Sequence, residues 1–510
     1  MSQRRLVAVT FALMMGLFLA SLEVTVVSTA MPTIVAQLGG LEIYSWVFAI
    51  YMLTSTTTVP IFGRLSDLYG RKPIYLIGIF LFLLGSTLSG LSQSMTQLVL
   101  FRAIQGLGAG ALMPMAFTII GDIYTLEQRA KMQGFFSGVW GVSSVIGPVI
   151  GGYLVDTWSW RWVFYLNIPF GLLAAVLIAV SLIEPVEERD TGRVDYLGAA
   201  LLSVSVLAFL YALLQGGTAY AWGDWRIIGL FALSLASVVA FIWVEQRVEG
   251  PLLPLNLFSD RLFATASAHG FVAALALFGV SSYIPLYVQG VLGTSATRAG
   301  AALTPSIIGW TSGSVFAGYL LLRFGPRLIA IGGMGFMVVG TFLLTRLGTE
   351  SAEMVVWASM LLMGLGMGLT ITSYLVAVQE RVPRRRLGVA TSSLQFIRQI
   401  GGTIGVSVIG AVMAARLTSG LAALPGGSNI NAQSLLDPST ELALPPAIAD
   451  AFQRLLADAL QPAFYIAFVA VLVGLAIAFL TPRGTTRQLV ADGQRDEARL
   501  PSDVPSEIPS

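Results

Sequence analysis

The chain contains no cysteine, a single histidine and few charged residues, which make up 11% of its 510 positions. The lack of cysteine excludes disulfides, thiolate chemistry and cysteine-ligated metal sites. The 29 basic and 27 acidic residues nearly balance, so the composition argues against nucleic acid as a partner. The position of each charged residue is therefore more informative than the net charge of the chain.

Apolar residues dominate instead, since 55% of the chain is hydrophobic and its mean hydropathy is +0.79. They occur in blocks of about 20 residues, the length that crosses a bilayer as a helix. The first block follows only Arg4 and Arg5 and is too long for a signal-peptide core. The sequence therefore predicts an all-α integral membrane protein whose first block is retained as a span.

Charged and turn-rich segments divide the chain into fourteen predicted spans. They lie near residues 6–31, 43–62, 74–92, 97–119, 134–155, 163–183, 196–217, 226–246, 263–290, 299–322, 328–347, 353–378, 388–414 and 462–482. An even number places both termini on one side, and most arginines and lysines then fall in the loops of that side. We therefore expect both termini in the cytoplasm.

Two charged segments, 184–195 and 247–260, separate three groups of spans. The expected domains are a six-helix bundle at 1–185, an inserted helix pair at 186–255, a second six-helix bundle at 256–482 and a disordered tail at 483–510.

The two bundles show weak internal similarity, because the turn at 63–72 has a degraded counterpart at 318–327. Two related bundles with a site at their interface are the layout of rocking transporters. The loop at 415–461 is expected outside the membrane. It includes a predicted amphipathic helix at 447–460, which is either a flap at the outer mouth or a helix on the membrane surface.

One acid stands inside the first span. Glu23 lies in an apolar run with no other ionisable residue between Arg5 and Glu42. A carboxylate at that depth costs about 2.5–3.5 kcal/mol, so it should face a protein-lined cavity, meet a cation or bind a proton. We interpret Glu23 as a protonatable, cation-attracting group in a transport pathway. The alternative is a carboxylate at a helix end that reaches interfacial water.

Arg102 lies in the fourth span and cannot lose its charge, so it must pair or reach the membrane surface. Glu23 is predicted at a similar depth. If protonation of Glu23 releases Arg102, proton flow becomes coupled to the shape of the protein. A static salt bridge between the two residues is the alternative.

The turn at 63–72 combines Gly63 and Gly70, which permit a tight turn, with Asp67, Arg71 and Lys72. Asp67 is suited to the positive N-terminus of a neighbouring helix, and Arg71 to a carboxylate. Such a turn can hold two bundles together and release them as they rock. An ordinary positively charged cytoplasmic loop is the alternative.

The fifth span contains Gly147, Pro148, Gly151 and Gly152. The glycines allow close helix approach, and Pro148 removes a backbone donor and favours a bend. Packing explains this pattern as well as a role in rocking does.

These segments carry a family resemblance, which extends over most of the chain. The chain resembles the major facilitator superfamily and, within it, the fourteen-span drug:proton antiporters of the QacA and EmrB type. The matching segments are 22–32, 63–72, 102–110, 147–152, 160–169, 251–258 and 398–402. Glu23 stands where that family usually has aspartate.

The resemblance implies two six-helix bundles with an extra central pair, and alternating access. It implies export of lipophilic, often cationic compounds against proton entry, with no cofactor beyond the coupling proton. It further implies that Asp67 meets the start of the thirteenth span near Gly388, and that Arg71 meets Asp122. The expected setting is a bacterial cytoplasmic (inner) membrane. The protein is expected to be a monomer among membrane lipids, and the need for a periplasmic partner stays open.

Other polar and aromatic residues inside spans are candidates for the lining of a substrate cavity with Glu23. They are Gln105, Trp140, Asn167, Tyr283, Tyr287, Trp310, Tyr319, Tyr374 and Gln395. Packing or interfacial anchoring is the alternative for each. His269 is either a proton relay or a hydrogen-bonded histidine. We expect Arg398 to be held by a carboxylate or by helix ends, and not by substrate.

The leading hypothesis is a proton-driven exporter of drugs or toxic compounds, and the alternative is an exporter of a native lipid, siderophore or other metabolite. A membrane-embedded enzyme is disfavoured. The sequence has no His-Glu-x-x-His motif, no phosphate-binding glycine loop at a helix start and no paired intramembrane aspartates.

Overall fold

The computed structural model describes residues 2–40, 43, 46–184, 195–217, 220–248, 250–294, 296–423 and 446–484. Within these ranges the secondary structure is helical and includes no strand. The predicted all-α class is therefore confirmed. The N-terminal helices are α1 (Gln3–Leu38), α2 (Trp46–Tyr69), α3 (Arg71–Leu91), α4 (Met95–Ile123), α5 (Leu126–Thr157), α6 (Trp162–Tyr165) and α7 (Asn167–Ser181).

A central pair and the C-terminal helices follow. The pair consists of α8 (Tyr196–Gln215) and α9 (Trp225–Glu245). The C-terminal helices are α10 (Arg261–Ser281), α11 (Ile284–Leu286), which runs into a π-helical turn (Tyr287–Val291), α12 (Ala296–Ala301), α13 (Thr304–Leu344), α14 (Glu353–Arg381), α15 (Leu387–Ala423) and α16 (Pro446–Leu480).

Aspartates fix where three of these helices begin. Asp195 accepts a hydrogen bond from Gly198 N at 2.8 Å at the start of α8, and Asp224 caps α9 in the same way. Asp260 accepts from two backbone N–H groups of α10. Each carboxylate satisfies donors that the first turn of a helix leaves unpaired.

Twelve helices in the described part of the chain are long and apolar enough to cross a membrane. Fourteen spans were predicted. The two additional predicted spans correspond to α5 and to the first part of α13, which are also helical and long but are not among the twelve. Of the predicted tail at 483–510, residues from 485 onward lie outside the described residues, as do residues 424–445 of the predicted loop at 415–461. The rest of that loop is helical, because α15 continues to Ala423 and α16 begins at Pro446.

Helix α13 joins two predicted spans, 299–322 and 328–347, into one element with a sharp break at Gly325. Gly325 has a φ of 72°, and Pro326 follows it. Gly70, between α2 and α3, has a φ of 100°. Both turns therefore use a glycine where other residues would be strained, which is the correspondence expected between 63–72 and 318–327.

The segment at 447–460 is helical as predicted, but the prediction that it forms a separate flap or membrane-surface helix is wrong. Pro446–Leu480 is one continuous helix with Pro462 inside it. Leu456 and Leu460 are buried against the C-terminal core, and Leu456 contacts the π-helical turn at Gly290. The apolar face of this segment covers protein, because its neighbours in the fold supply a matching surface that the sequence does not reveal.

Buried side chains form separate cores in the N-terminal and C-terminal helices. The two sets meet where α2 packs on α15 and α5 packs on α13. In the second contact Ser137 Oγ lies 3.1 Å from Ser314 Oγ, and Gly134 faces Val315. The α8–α9 pair packs its apolar face on α2 and α15. These contacts position the sites described next.

Candidate functional site

Glu23 and Arg102 form a buried ion pair between α1 and α4. A terminal guanidinium nitrogen of Arg102 donates to Glu23 Oε1, and each side chain is only 1% exposed. Both charges are therefore removed from water and lipid. The predicted proximity of these residues is present, and the alternative of a carboxylate at the membrane surface does not fit this burial.

Two further side chains hydrogen-bond to the ion pair, and a third, Ser86, holds one of them. Asn167 at the start of α7 donates to Glu23 Oε2 at 2.6 Å and to Ser86 Oγ at 2.9 Å. Gln105 Oε1 accepts from Arg102 at 2.7 Å. A buried charge pair is tolerated when its remaining lone pairs and protons are satisfied in this way.

Helix α2 supplies two additional acceptors for the Arg102 charge. The backbone oxygen of Val47 accepts from Arg102 Nε at 3.2 Å, and the guanidinium carbon lies 4.2 Å from the centre of the Tyr51 ring. Arg102 thus keeps partners on α2 and α4 if Glu23 becomes neutral. This arrangement can exist with the ion pair formed or released, which a proton-operated switch requires.

A second polar cluster joins the N-terminal to the C-terminal helices, and we call it the latch. Asp67, fully buried at the end of α2, accepts hydrogen bonds from Gly388 N at 2.9 Å and Val389 N at 2.8 Å. These N–H groups form the first turn of α15, where the helix dipole favours an anion. The contact implied by the resemblance is present.

Arg71 organises the rest of the latch. Its guanidinium pairs with Asp67 at 2.8 Å and with Asp122 at 2.9 Å, and it donates to the backbone oxygen of Arg384 at 2.7 Å. Among the described residues, the Lys72 ammonium donates to Leu182 O at 3.2 Å, a contact within the N-terminal helices and not between the two sets of helices.

The glycines of the latch have two different structural roles. A Cβ on Gly63 would overlap Ser392 of α15, and a Cβ on Gly388 would lie 2.7 Å from Asp67 Oδ1. Both glycines therefore allow α2 and α15 to approach closely enough for the Asp67 hydrogen bonds. Gly70 instead supplies the positive φ of the turn.

Two more contacts at this end were not predicted from the sequence. Arg129 of α5 pairs with Glu380 of α14 at 2.7 Å, and Gln379 of α14 donates to the backbone oxygen of Phe117 in α4 at 3.2 Å. The Glu380 charge at the end of a span was a signal for the first contact. The second contact has no such signal, because every residue carries a backbone oxygen and the sequence does not show which one accepts.

Replacement of Asp67 by asparagine should slow transport by about ten- to hundredfold, since charge-assisted hydrogen bonds contribute about 1.5–3 kcal/mol. The amide oxygen cannot carry the charge that meets Arg71 and the α15 dipole, and the amide nitrogen cannot accept from an N–H group. Initial export rates in vesicles of matched protein content measure the effect. Asp156→Asn, an exposed change on α5, is the control. A wild-type rate for Asp67→Asn would contradict the role of the latch.

The exporter motif on α5 packs against α1 at two of its positions. A Cβ on Gly147 would overlap Thr25, and one on Gly151 would overlap Thr29 Oγ1. The prediction of close approach is wrong for Gly152, which has open space where a Cβ would stand. The Pro148 side chain lies outside the described residues.

The interpretation of Tyr287 and Tyr374 as cavity residues is wrong. Tyr287 is 1% exposed and donates to Gly348 O at 2.8 Å, and Tyr374 is 3% exposed with its hydroxyl 2.6 Å from Thr481 Oγ1. Both rings belong to the C-terminal core. Single-residue patterns could not separate core aromatics from cavity aromatics.

The remaining candidates lie in several environments. Gln105 and Asn167 belong to the buried ion-pair site. Tyr283 donates to Val406 O at 3.0 Å, so its hydroxyl is engaged in packing α10 on α15. The side chains of Trp140 and Tyr319 are 37% and 58% exposed. Within the described part of the chain, Gln105 and Asn167 are the candidates that hydrogen-bond to the Glu23–Arg102 pair.

Three residues of the C-terminal helices remain. His269 is fully buried beside Tyr374, with ring centres 4.8 Å apart. Trp310 is half-buried and lies against Phe278, and Gln395 is 2% exposed. Arg398 is not held by a carboxylate or a helix end within the described part of the chain, contrary to expectation.

Comparisons with known proteins bear on the whole arrangement. Residues 13–406 match the model of the Major Facilitator Superfamily. The chain is 39% identical to the multidrug transporter protein MdtP of Bacillus subtilis (strain 168), over 95% of each chain. It is 36% identical to multidrug resistance protein 3 of the same organism, over 93% of this chain and 94% of that protein.

A solved structure shares the fold. The structure of the human organic anion transporter MFSD10 (TETRAN) superposes with a TM-score of 0.60 at 14% identity, covering 92% of this chain and all of that one. Family match, close relatives and fold agree with a multi-pass membrane protein that transports solutes and is not an enzyme. The chain therefore belongs to the Major Facilitator Superfamily of membrane transporters.

Proposed function

We propose that the protein is a proton-coupled antiporter that exports lipophilic, often cationic compounds by alternating access. The observation that carries this proposal is the Glu23–Arg102 ion pair, buried at 1% exposure in the membrane-spanning part of the N-terminal helices. A protonatable acid beside a permanent cation, with substitute partners for that cation, is what coupling to protons requires. The two Bacillus relatives, whose names describe multidrug transport and resistance, support the export of drug-like compounds.

The proposed cycle links two sites at different depths. Asp122 lies 20 residues beyond Arg102 on α4, which corresponds to about 30 Å along a helix. Proton binding at Glu23 releases Arg102, and the helices around the ion pair then repack. The latch opens or closes in response, because α2 and α4 contribute to both sites.

The proposed topology follows the fourteen-span drug:proton antiporters of the QacA and EmrB type. Helix α5 and the first part of α13 join the twelve apolar helices as spans, and α8 and α9 form the extra central pair. Both termini and the latch then lie on the cytoplasmic side of a bacterial inner membrane. The protein acts as a monomer, and the coupling proton takes the place of a cofactor.

Reconstitution tests the proposal directly. Proteoliposomes that contain the purified protein are given an imposed pH gradient, and the transport of a fluorescent lipophilic cation is followed. We expect transport that depends on the gradient and stops when a protonophore collapses it. Transport that persists without a gradient, or that follows a sodium gradient instead, would contradict proton coupling.

A further inference from the structure

A polar pair on α15 has no role in the mechanism above. Gln395 is 2% exposed, and its Nε2 has no acceptor among the described residues. Arg398 follows three residues later, is partly exposed and meets no hydrogen-bond acceptor or carboxylate within the same described ranges. An arginine keeps its charge at every relevant pH, so its guanidinium needs an anion or water at this depth.

The neighbours of α15 fix the direction of this pair. Gly401 packs against the α10 backbone at Phe271, and on another side Ser392 faces α2. At about 100° per residue those two sides are opposite each other. Phe396 and Ile400, on one of the two faces between them, pack with the α8–α9 pair, and Gln395 and Arg398 lie on the other face. Helix α10 belongs to the C-terminal set and α2 to the N-terminal set. The pair therefore faces the space between the two sets of helices.

The same face of α15 continues in both directions. One turn before Gln395, Thr391 accepts a hydrogen bond at 3.2 Å from Gln379, which also donates to Phe117 O of α4. That contact closes the space toward the latch.

One turn after Arg398, Gly402 packs against the ring of Phe278, whose centre is 6.2 Å from that of Trp310. The Phe278 ring thus packs on α15 one turn beyond Arg398, and the Trp310 ring lies beside it. Arg398 is ten residues beyond Gly388, which is about 15 Å along the helix from the latch.

We propose that Gln395 and Arg398 form a subsite for the carboxylate, or an equivalent anionic group, of amphipathic cargo. The planar guanidinium binds a carboxylate through two parallel hydrogen bonds, and the Gln395 amide supplies a third donor. The rings of Phe278 and Trp310 take up the apolar part of the same molecule. This inference rests on the proposed export function and extends its substrates to acidic and zwitterionic compounds.

A matched pair of dyes tests the subsite. Rhodamine B carries a free carboxylate, and rhodamine B ethyl ester has the same cationic ring system without it. Binding to the purified full-length protein in detergent is measured by fluorescence anisotropy. We expect Arg398→Gln to weaken rhodamine B by about tenfold or more, the effect of losing one charge-assisted contact, and to change the ester by less than about twofold.

Two more variants separate the subsite from a structural role. Arg398→Lys should weaken rhodamine B by a smaller factor, because lysine keeps the charge but not the paired donors. Arg416→Gln removes an exposed arginine from the same helix and should change neither dye. Retained binding of the ester shows that each variant is folded.

The outcomes distinguish the two proposals. Equal weakening of both dyes by Arg398→Gln, or no change in either, would overturn the subsite and leave the proposed export function standing. If the wild-type protein binds neither dye and transports no lipophilic cation, the proposed function fails together with the subsite.

Discussion

Glu23→Gln should abolish transport driven by a pH gradient, reducing the rate to that of liposomes without protein. Glutamine keeps the size of the side chain and an oxygen for Arg102, but it cannot gain or lose a proton. The substitution also removes the counter-charge of Arg102. The acceptors on α2 and α4 compensate that charge in part, so the loss of stability should stay below the about 3–5 kcal/mol of a wholly uncompensated buried charge. Export rates in proteoliposomes under an imposed gradient measure the first effect, and thermal unfolding of the purified protein measures the second.

Two controls separate proton coupling from a static salt bridge. Glu23→Asp restores a titratable acid, the residue usual in the family it resembles, and should recover part of the coupled rate. The double variant Glu23→Gln/Arg102→Gln removes both charges and should regain stability but not coupling. Export by folded Glu23→Gln at the wild-type rate, with only its stability lowered, would mean that the ion pair is structural.

A disulfide between α5 and α13 should stop transport completely and reversibly. Ser137 Oγ and Ser314 Oγ are 3.1 Å apart across the contact between N-terminal and C-terminal helices. Cysteines at both positions lie within disulfide range. Because the chain has no cysteine of its own, the pair reacts without background. We expect oxidation to cross-link the pair, to lower the export rate to background, and reductant to restore it.

The central pair provides a matched control for the cross-link. Ser205 Oγ and Ser234 Oγ are 3.3 Å apart between α8 and α9. A Ser205→Cys/Ser234→Cys pair should cross-link as readily and leave transport active, since both helices belong to one unit. Full activity of the cross-linked Ser137→Cys/Ser314→Cys protein would mean that α5 and α13 do not separate during transport.

These two experiments address the two halves of one mechanism. The first removes the proton that would drive the cycle, and the second holds closed a contact that the cycle would open. Helix α4 is the physical link, because Arg102 near its beginning and Asp122 near its end belong to the ion-pair site and to the latch. A helix transmits a shift over its whole length because its backbone hydrogen bonds make it stiff.

Apolar blocks and isolated charges were enough to predict the helical membrane fold and most helix positions. Each span must match the thickness and the apolar character of the bilayer, whatever the other spans do. The same logic singled out Glu23 and Arg102, since a charge among apolar residues must have a partner. The role of Asp67 could be predicted from its turn, because the glycines permit a tight turn and an acid is suited to the N-terminus of a neighbouring helix.

Only the tertiary structure decided which helix faces meet. A sequence shows the period of a helix but not which neighbour each face contacts. Tyr287 and Tyr374 were therefore predicted to line a cavity, whereas both rings are buried in the C-terminal core. The segment after Pro446 was misread for the same reason, because protein rather than membrane covers its apolar side. Arg398 without a partner in the described residues, between α2 and α10, is likewise a property of the packed helices and not of the chain.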